Sequence, residues 1–296
     1  MDCESKHSDG VPQIHSLLRL GYGGWLLYTA TSAGDVGFVK DLLVRDPLLV
    51  AGRGEHGVTD VLYAAARSKK SETFRLLLKS SMSSNKGSKN SEVFVEELMN
   101  RAVHAAARGG NLEILKELLL YCSDVLGYRD DQGSTILHST SGRGQLQVVG
   151  DLIATYSGII DSRYSSVVKV LALASPSLAK SKNNSGDTFL HMAVAGFQSP
   201  DFHRIDQQME LIKRLTSGEI INLDDIINIQ NDEGKIALHI AVAEDIQCDV
   251  LELLMKVPLL NFNICDTDGL TPLYLLKQCR KTTAMNVLSK QLASTD

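Results

Sequence analysis

The chain has 296 residues, of which 44% are hydrophobic and 22% are charged, and its formal net charge is −5. This length suits one large domain or two modest ones with a substantial core. The mild acidic balance argues against a nucleic-acid-binding protein. The five cysteines are widely spaced and include no C-x-x-C pair, which argues against a disulfide framework and against a zinc site.

Residues 1–24 are predicted to be a lead-in segment that is partly disordered. The start, MDCESKHSDGVPQ, is polar and acidic where a secretory signal peptide would be basic and then apolar. No run of about 18 apolar residues occurs, so we expect no transmembrane segment. We therefore expect a cytoplasmic protein, with the nucleus left open as a second location.

From Trp25 onwards the chain repeats one pattern, in which a histidine or tyrosine stands inside a short apolar segment. Four of these segments have a glycine five residues ahead, and each glycine ends a turn-forming cluster: DDQG, NNSG, NDEG and DTDG. Asp, Asn and Gly favour tight turns. The histidine or tyrosine positions are Tyr28, Tyr63, His104, His138, His191, His239 and Tyr274.

A second apolar patch follows each marker in several of the repeats. A leucine stands 14 residues after the marker at Leu42, Leu77, Leu118, Leu152 and Leu288. The spacing and the helical pattern of segments such as EILKELLL predict two short antiparallel helices in each unit.

These features resemble the ankyrin repeat, which has a Gly-containing turn, then Thr-Pro-Leu-His-x-Ala, then a second helix, in about 33 residues. The best matches are GLTPLY, GSTILH, GDTFLH and GKIALH, and GDTFLHMAVAGF is similar to a group of plant ankyrin repeat proteins. The resemblance implies an all-α fold. It would be an ankyrin repeat solenoid of stacked helix–turn–helix units with turn or β-hairpin fingers.

The expected array covers residues 25–296 in seven to eight units. Their predicted ranges are 25–57, 58–98, 99–132, 133–158, 159–182, 183–230, 231–265 and 266–296. A flexible loop is expected over 79–92, and an insertion over 198–208 delays a second helix.

The unit at 159–182 is predicted to be truncated. Two second-helix patterns follow His138 with no second turn between them, and the missing half-unit falls near 159–166. Natural degeneration, a splice form or a gene-model error would each explain it. We expect the array to be interrupted there and to have a local weak point, because each unit is stabilised by its neighbours.

The marker histidines are interpreted as structural. Repeat units stack about 10 Å apart, whereas zinc ligands lie about 2 Å from the metal, so these histidines are not expected to converge on a metal. Gly permits the turn, and a Thr before a helix can cap it. The resemblance implies that the His or Tyr binds its own or the adjacent turn. The motif residues are Gly133, His138, Gly186, Thr188, His191, Gly234, His239, Gly269, Thr271 and Tyr274.

We find no catalytic motif, such as a phosphate-binding loop or a nucleophile elbow, and expect no catalytic residue, metal or cofactor. The predicted function is therefore a non-catalytic scaffold or adaptor that binds another protein on a concave face. Small-molecule substrates and nucleic acid are not expected, and the acidic turn tips favour a partner with basic surface. The candidate contact residues are Arg67, Arg108, Arg143, Phe197, Gln132, Asp232, Glu233 and Asp268.

Two alternatives stay open. The chain could be a regulatory fragment or splice form of a larger membrane-associated or signalling protein, and the ending LSKQLASTD, without a membrane domain, argues against the membrane-associated form. It could also be an enzyme-linked adaptor of the ubiquitin-ligase type, although no Cys/His zinc pattern supports this.

Overall fold

The computed structural model describes residues 11–51, 61–84, 91–121, 128–156, 178–198, 205–243, 246 and 248–278. Every regular element within these ranges is helical, in agreement with the predicted helical fold. The α-helices are α1 Val11–Arg19, α2 Gly23–Ala33, α3 Val36–Arg45, α4 Val61–Arg67, α5 Ser71–Ser84, α6 Ser91–Gly109, α7 Leu112–Tyr121, α8 Ile136–Ser141, α9 Leu146–Tyr156, α10 Phe189–Ala195, α11 Ile205–Thr216, α12 Ala237–Ala243, α13 Cys248–Met255 and α14 Pro272–Gln278. None of these helices is both long and apolar enough to cross a bilayer.

The chain divides into two compact units, Met1–Ile114 and Leu115–Asp296. The single array predicted over 25–296 therefore stays a prediction.

In the first unit, helices pack in two layers. Helix α4 packs against α2 on one side and α6 on the other, and α3 packs against α5 in the second layer. Small residues allow the close contact between α4 and α6, because a Cβ atom on Gly109 would lie 2.5 Å from the Cβ atom of Ala66. The alanine-rich pattern of these segments thus reflects tight helix-to-helix packing.

Local chemistry sets where the second helices begin. Gly34 adopts a left-handed conformation at φ 68° after α2, and Asp35 then caps α3 by accepting a hydrogen bond from the backbone N of Phe38 at 3.0 Å. Asn111 caps α7 in the same way, through the backbone N of Ile114 at 3.2 Å. Each cap satisfies one N–H group that the first helical turn would leave without a partner.

The loop predicted over 79–92 is shorter than expected. Residues 79–84 continue α5 and Ser91 begins α6, while residues 85–90 lie outside the described part of the chain. The serine-rich composition was misleading because Ser81 is buried within α5 and its hydroxyl donates to the carbonyl O of Leu77 at 3.0 Å. A serine can occupy a helix when it binds the carbonyl four residues earlier.

The second unit repeats the two-layer arrangement. The first helices α8, α10, α12 and α14 pack in that order, and the second helices α9, α11 and α13 pack in order beside them. Fully buried side chains fill the space between layers: Phe189, Leu190, Ile212, Leu238 and Leu254. Within the second helices, buried residues recur every three to four positions, as expected for amphipathic helices that pack against a common core.

The interruption expected after His138 is absent from the turns and first helices that the structure describes. Helix α8 packs directly on α10, and α9 packs on α11, so the units that contain His138 and His191 are immediate neighbours. The predicted half-unit at 159–182 falls largely on residues 157–177, which lie outside the described ranges. Its structure therefore stays a prediction.

The insertion predicted over 198–208 also ends earlier than expected. A short 3-10 turn covers Gly196–Gln198, residues 199–204 lie outside the described ranges, and α11 begins at Ile205. The last four residues of the predicted insertion therefore form the first turn of α11, and one of them, Gln208, is buried.

Candidate functional site

Four turns of the second unit share one hydrogen-bond pattern, and together we call them the turn row: residues 130–134, 183–187, 231–235 and 266–270. In each, the backbone N of the first residue donates to the carbonyl O of the fifth, and the glycine N donates back to the first carbonyl. In the second turn these distances are 2.9 Å from Asn183 to Asp187 and 3.0 Å from Gly186 to Asn183. Each turn is thus closed by two backbone bonds.

The first residue of each turn is Asp or Asn, because its side chain completes the turn. The Oδ1 atom of Asn231 accepts from the backbone N of Glu233 at 3.1 Å and of Lys235 at 2.9 Å. Asp266 does the same for Asp268 at 3.0 Å and Leu270 at 2.8 Å. Asp130 and Asn183 repeat this arrangement in the other two turns. These side chains are used within the turn and are not offered to a partner.

The glycine at the fourth position of each turn has a left-handed backbone. The φ angles are 68° for Gly133, 74° for Gly186, 72° for Gly234 and 75° for Gly269. This region is costly for residues with a Cβ atom. In three of the turns, the neighbouring turn also approaches closely: a Cβ atom on Gly186 would lie 2.6 Å from the backbone N of Asp232.

Adjacent turns are joined at their tips by backbone hydrogen bonds. The N of Asn184 donates to the O of Gln132 at 2.9 Å, and the N of Asp232 donates to the O of Ser185 at 3.0 Å. The N of Thr267 donates to the O of Glu233 at 3.0 Å in the same way. The four turns therefore form one continuous backbone ladder within the second unit.

The marker histidines connect each first helix to the following turn. In His191, the Nδ1 atom accepts from the backbone N of Thr188 at 3.1 Å and lies 2.8 Å from its Oγ1 atom, while Nε2 lies 2.9 Å from the carbonyl O of Lys235. His138 makes the equivalent contacts with Thr135 and with the carbonyl O of Asp187. His239 follows the same pattern, and its Nε2 atom lies 3.1 Å from the O of Leu270.

These contacts assign a neutral histidine with its proton on Nε2. A carbonyl oxygen can only accept, so Nε2–H donates, and Nδ1 must be unprotonated to accept from a backbone N–H. Burial lowers the pKa of His138, His191 and His239, because a charged imidazolium would lose its hydration. Both ring nitrogens are used for architecture. No group of three potential metal ligands is brought together in the ranges that the structure describes.

Two other marker residues differ from these three. Tyr274 occupies the same position in α14, but its ring is 49% exposed, and Thr271 caps that helix by accepting from the backbone N of Tyr274 at 3.1 Å. His104 lies inside the long helix α6 and has no turn glycine ahead of it. The histidine by itself therefore does not identify the turn, whereas histidine with a preceding glycine does.

The predicted turn-tip residues Gln132, Asp232, Glu233 and Asp268 are all exposed. Three of them are acidic. Lys235 is the fifth residue of the third turn, and its Nζ atom donates to the Oε2 atom of Glu233 at 2.6 Å, which raises the pKa of the lysine. Asp232 and Asp268 keep the tips of the last two turns acidic.

The predicted first-helix residues lie at the carboxyl ends of first helices and fall in both compact units. Arg67 is exposed at the end of α4, and Arg108 is half-buried near the end of α6. In the second unit, Arg143 follows α8 and Phe197 follows α10, and both are half-buried. Arg143 and Phe197 are thus at the ends of two helices that pack on each other.

Gln208 is a residue that the sequence interpretation missed. Its side chain is buried, and Nε2 donates to the carbonyl O of Ser141 at 2.8 Å and to that of Ala193. These carbonyls end α8 and α10, so Gln208 joins the two neighbouring first helices. Gly196 leaves room for it, because a Cβ atom there would lie 2.7 Å from Nε2. The available signal was an uncharged polar residue at a core position of the amphipathic helix α11.

Comparison with protein families shows that a family model described as ankyrin repeats, in three copies, matches residues 62–163. Ankyrin repeats are therefore present in this chain. The turn at 130–134 lies inside the matched range, and the three further turns with the same hydrogen bonds lie beyond it. A search of curated proteins returned no match. The similarity to plant ankyrin repeat proteins accordingly stays a prediction.

Proposed function

We propose that this chain, in which residues 62–163 match ankyrin repeats, is a non-catalytic scaffold or adaptor that binds another protein. Ankyrin repeats are generally protein–protein interaction modules. In this proposal the array is a solenoid of seven to eight units, and it acts in the cytoplasm or nucleus without a metal or cofactor. Within the second unit, the binding face consists of the turn row and the carboxyl ends of α8 and α10, where Arg143 and Phe197 lie.

The observation that carries the proposal is that the turn row holds its backbone by internal hydrogen bonds and leaves the side chains at its tips exposed. In each turn the backbone of the first and fifth residues and of the glycine is held by internal hydrogen bonds, and His138, His191 and His239 are held in the same way after the first three turns. The tip side chains of Gln132, Asp232, Glu233 and Asp268 are exposed to solvent. A binding surface needs side chains that are presented by a rigid backbone, because less conformational entropy is then lost on binding. The tip ladder from Gln132 to Thr267 supplies that rigidity.

The partner should present basic side chains to the last two turns. Asp232 and Asp268 are exposed, and the charge of Glu233 is balanced locally by Lys235. Charge complementarity mainly accelerates association and selects among partners. The half-buried Phe197 and Arg143 belong to residue types that often anchor interfaces.

Affinity capture from an extract of the source cells tests the proposal. The wild-type chain is compared with a charge-reversal variant, Asp232→Lys with Asp268→Lys, and with a second variant, Phe197→Ser. The matched control is Glu219→Lys with Asp225→Lys, which makes the same charge change at exposed positions outside the turn row.

We expect the wild type and the control to capture the same proteins, and the charge-reversal variant and Phe197→Ser to lose them. The loss should be greatest at low ionic strength for the charge variant, since salt screens exposed charges. If all variants capture the same proteins in equal amounts, the binding face is assigned wrongly. Turnover of a substrate that a point substitution abolishes would overturn the non-catalytic assignment.

A further inference from the structure

An apolar patch is exposed at the junction of α1 and α2, and we call it the N-terminal patch: Leu20, Tyr22 and Trp25. The exposed fractions are 70% for Leu20, 53% for Tyr22 and 63% for Trp25. Single exposed apolar residues are ordinary on protein surfaces. Three large ones within six positions, two of them aromatic, are typical of an interaction surface.

The backbone that carries the patch is closely packed at the start of α2. Gly23 lies between Tyr22 and Trp25, and a Cβ atom there would be 2.5 Å from a methyl group of Leu49 and 3.0 Å from one of Leu18. The residues on either side of Gly23 are therefore carried by a backbone that already packs closely against two other segments. The exposed side chains of the patch are therefore positioned by a packed backbone.

Helix α2 has two different faces. Leu27, Ala30 and Thr31 are buried, on the side where α2 packs against α3 and α4. Tyr22, Trp25 and Thr29 follow each other at three- and four-residue steps on the opposite side, where they are exposed. The exposed face thus extends one turn beyond the patch to Thr29, which is uncharged and whose hydroxyl donates to the carbonyl O of Trp25 at 2.9 Å.

No charged residue occurs from Leu20 to Gly34, although 22% of the chain is charged. The first helices α8, α10 and α12 of the second unit also contain no Asp, Glu, Lys or Arg, but α10 is covered by its neighbours because it packs between α8 and α12. Helix α2 therefore has the composition of an inner first helix at a position where its outward face meets solvent. The outer face of a terminal repeat is normally polar, for solubility.

We infer that a second copy of this chain covers the N-terminal patch, so that two protomers pair through the outward faces of α2. A twofold interface places the same surface on itself, and like charges would then oppose each other. The patch and the rest of α2 carry no charge, and Arg19, next to Leu20, is the charged residue that borders the patch along the chain. Trp and Tyr are also the residues that most often anchor interfaces.

The area fits a weak dimer. Each exposed aromatic ring offers a large part of roughly 150–250 Å², so the three side chains expose roughly 400 Å² per protomer. Two protomers would bury roughly 800 Å² from these residues, and the adjacent exposed Gly24 and Thr29 bring the total close to the ~1,000 Å² of small specific interfaces. An interface of this size is typical of weak complexes, and we expect a dissociation constant in the micromolar range.

Trp25 is the only tryptophan in the chain, so its fluorescence reports on the patch directly. Sedimentation velocity and tryptophan emission are measured together over a dilution series that spans the micromolar range. The inference predicts a concentration-dependent dimer, with Trp25 emission shifted to shorter wavelength in the dimer. A monomer at all concentrations would overturn it, as would a dimer in which the Trp25 emission does not change.

Two variants place a charge in the patch, Leu20→Glu and Tyr22→Glu, and Leu259→Glu places one at an exposed leucine outside it. Circular dichroism checks that each variant is folded. The patch variants should weaken dimerisation by about tenfold or more, because two like charges would meet across the interface. The Leu259 variant should dimerise like the wild type, and equal effects from all three would overturn the assignment.

A chain lacking residues 1–10 completes the design, because those residues are the other possible cover. If they cover the patch, the full chain will have blue-shifted emission at every dilution, and their removal will shift it to longer wavelength. That result would overturn the dimer. If a second copy covers the patch, the shortened chain will still dimerise.

Discussion

The Nε2 atom of His191 donates to the carbonyl O of Lys235 at 2.9 Å, a residue 44 positions further along the chain. The same carbonyl also accepts from the backbone N of Asn231, which closes the turn of the next repeat. One oxygen therefore joins a first helix to the turn of its neighbour. The relationship explains why a histidine in an apolar run marks a repeat without doing any chemistry.

Replacement of this histidine should destabilise the second unit. His191→Ala removes the bonds to Thr188 and Lys235 and leaves a cavity, which together should cost about 2–4 kcal/mol. Tyr274→Ala, at the same position of α14, should cost less than about 1 kcal/mol because that side chain is half exposed. Urea unfolding followed by circular dichroism measures both, and equal costs would contradict the assigned role.

Stability should fall as the pH falls below about 6.5. Burial lowers the pKa of His138, His191 and His239 from the ordinary value of 6.5, so the unfolded chain takes up protons first and is stabilised relative to the folded chain. The loss begins near pH 6.5 and continues down to the folded-state pKa of each histidine. Unfolding free energies measured between about pH 7.5 and pH 5.5 test this, with a maximum slope of about 1.4 kcal/mol per pH unit for each histidine.

The variant His191→Gln is the control for that pH dependence. Glutamine can still donate to the Lys235 carbonyl but does not titrate, so the slope should become shallower while the direction stays the same. A slope that is identical in the wild type and the variant would show that His191 is not among the groups responsible.

Alanine substitutions at two glycines of the turn row should distinguish the cost of backbone strain from the cost of crowding between neighbouring turns. Gly234 and Gly269 have φ angles of 72° and 75°, but a Cβ atom on Gly234 would lie 2.9 Å from the N of Thr267, whereas one on Gly269 has no atom within 4 Å. Gly269→Ala should cost about 1–2 kcal/mol for strain alone. Gly234→Ala should cost distinctly more in thermal or urea unfolding, and equal costs would mean that the turns do not contact as described.

Replacement of Gln208 should destabilise the fold more than replacement of an exposed residue of the same helix, α11. Gln208→Ala leaves the carbonyls of Ser141 and Ala193 without its two hydrogen bonds in a buried setting, which should cost about 2–3 kcal/mol. Lys213→Ala, at an exposed position of the same helix, should change the unfolding free energy by less than about 0.5 kcal/mol. The same urea unfolding assay compares them. Equal effects would contradict the role of Gln208 in joining α8 and α10.

Hydrogen exchange tests the continuity of the second unit. Because α8 packs directly on α10, the backbone amides of Ser139 and Met192, which donate to the carbonyl O atoms of Thr135 and Thr188, should exchange slowly, with no weak step between the two helices. The sequence pattern predicts faster exchange from Tyr156 to Ala174, where a half-unit is predicted to be missing. Slow exchange in all three places would contradict the predicted weak point, and fast exchange in α8 or α10 would contradict the direct stacking.

Much of the turn row could be predicted because its chemistry is local. The Asp or Asn, the glycine three residues later and the Thr before the helix all act within a few positions, so each turn depends on a short stretch of sequence. The second helices could also be predicted, because the spacing of apolar residues within each short segment indicates a helix with one buried face. Ile212 and Leu254 are two of the residues predicted in this way, and both are buried. Composition misled only where a polar residue found a buried hydrogen bond, as Ser81 does.

The sequence by itself determined the repeating turn-and-helix unit, since hydrogen bonds between residues two to four positions apart need no other part of the chain. Only the tertiary structure decided which turn lies beside which. It placed Asn184 against Gln132 across a gap where the repeat pattern indicated a missing half-unit, and it put Gln208 between the ends of two helices. The physical reason is that these contacts arise from packing between segments that are distant in the sequence. The number of residues between two repeat motifs does not indicate whether their turns are in contact.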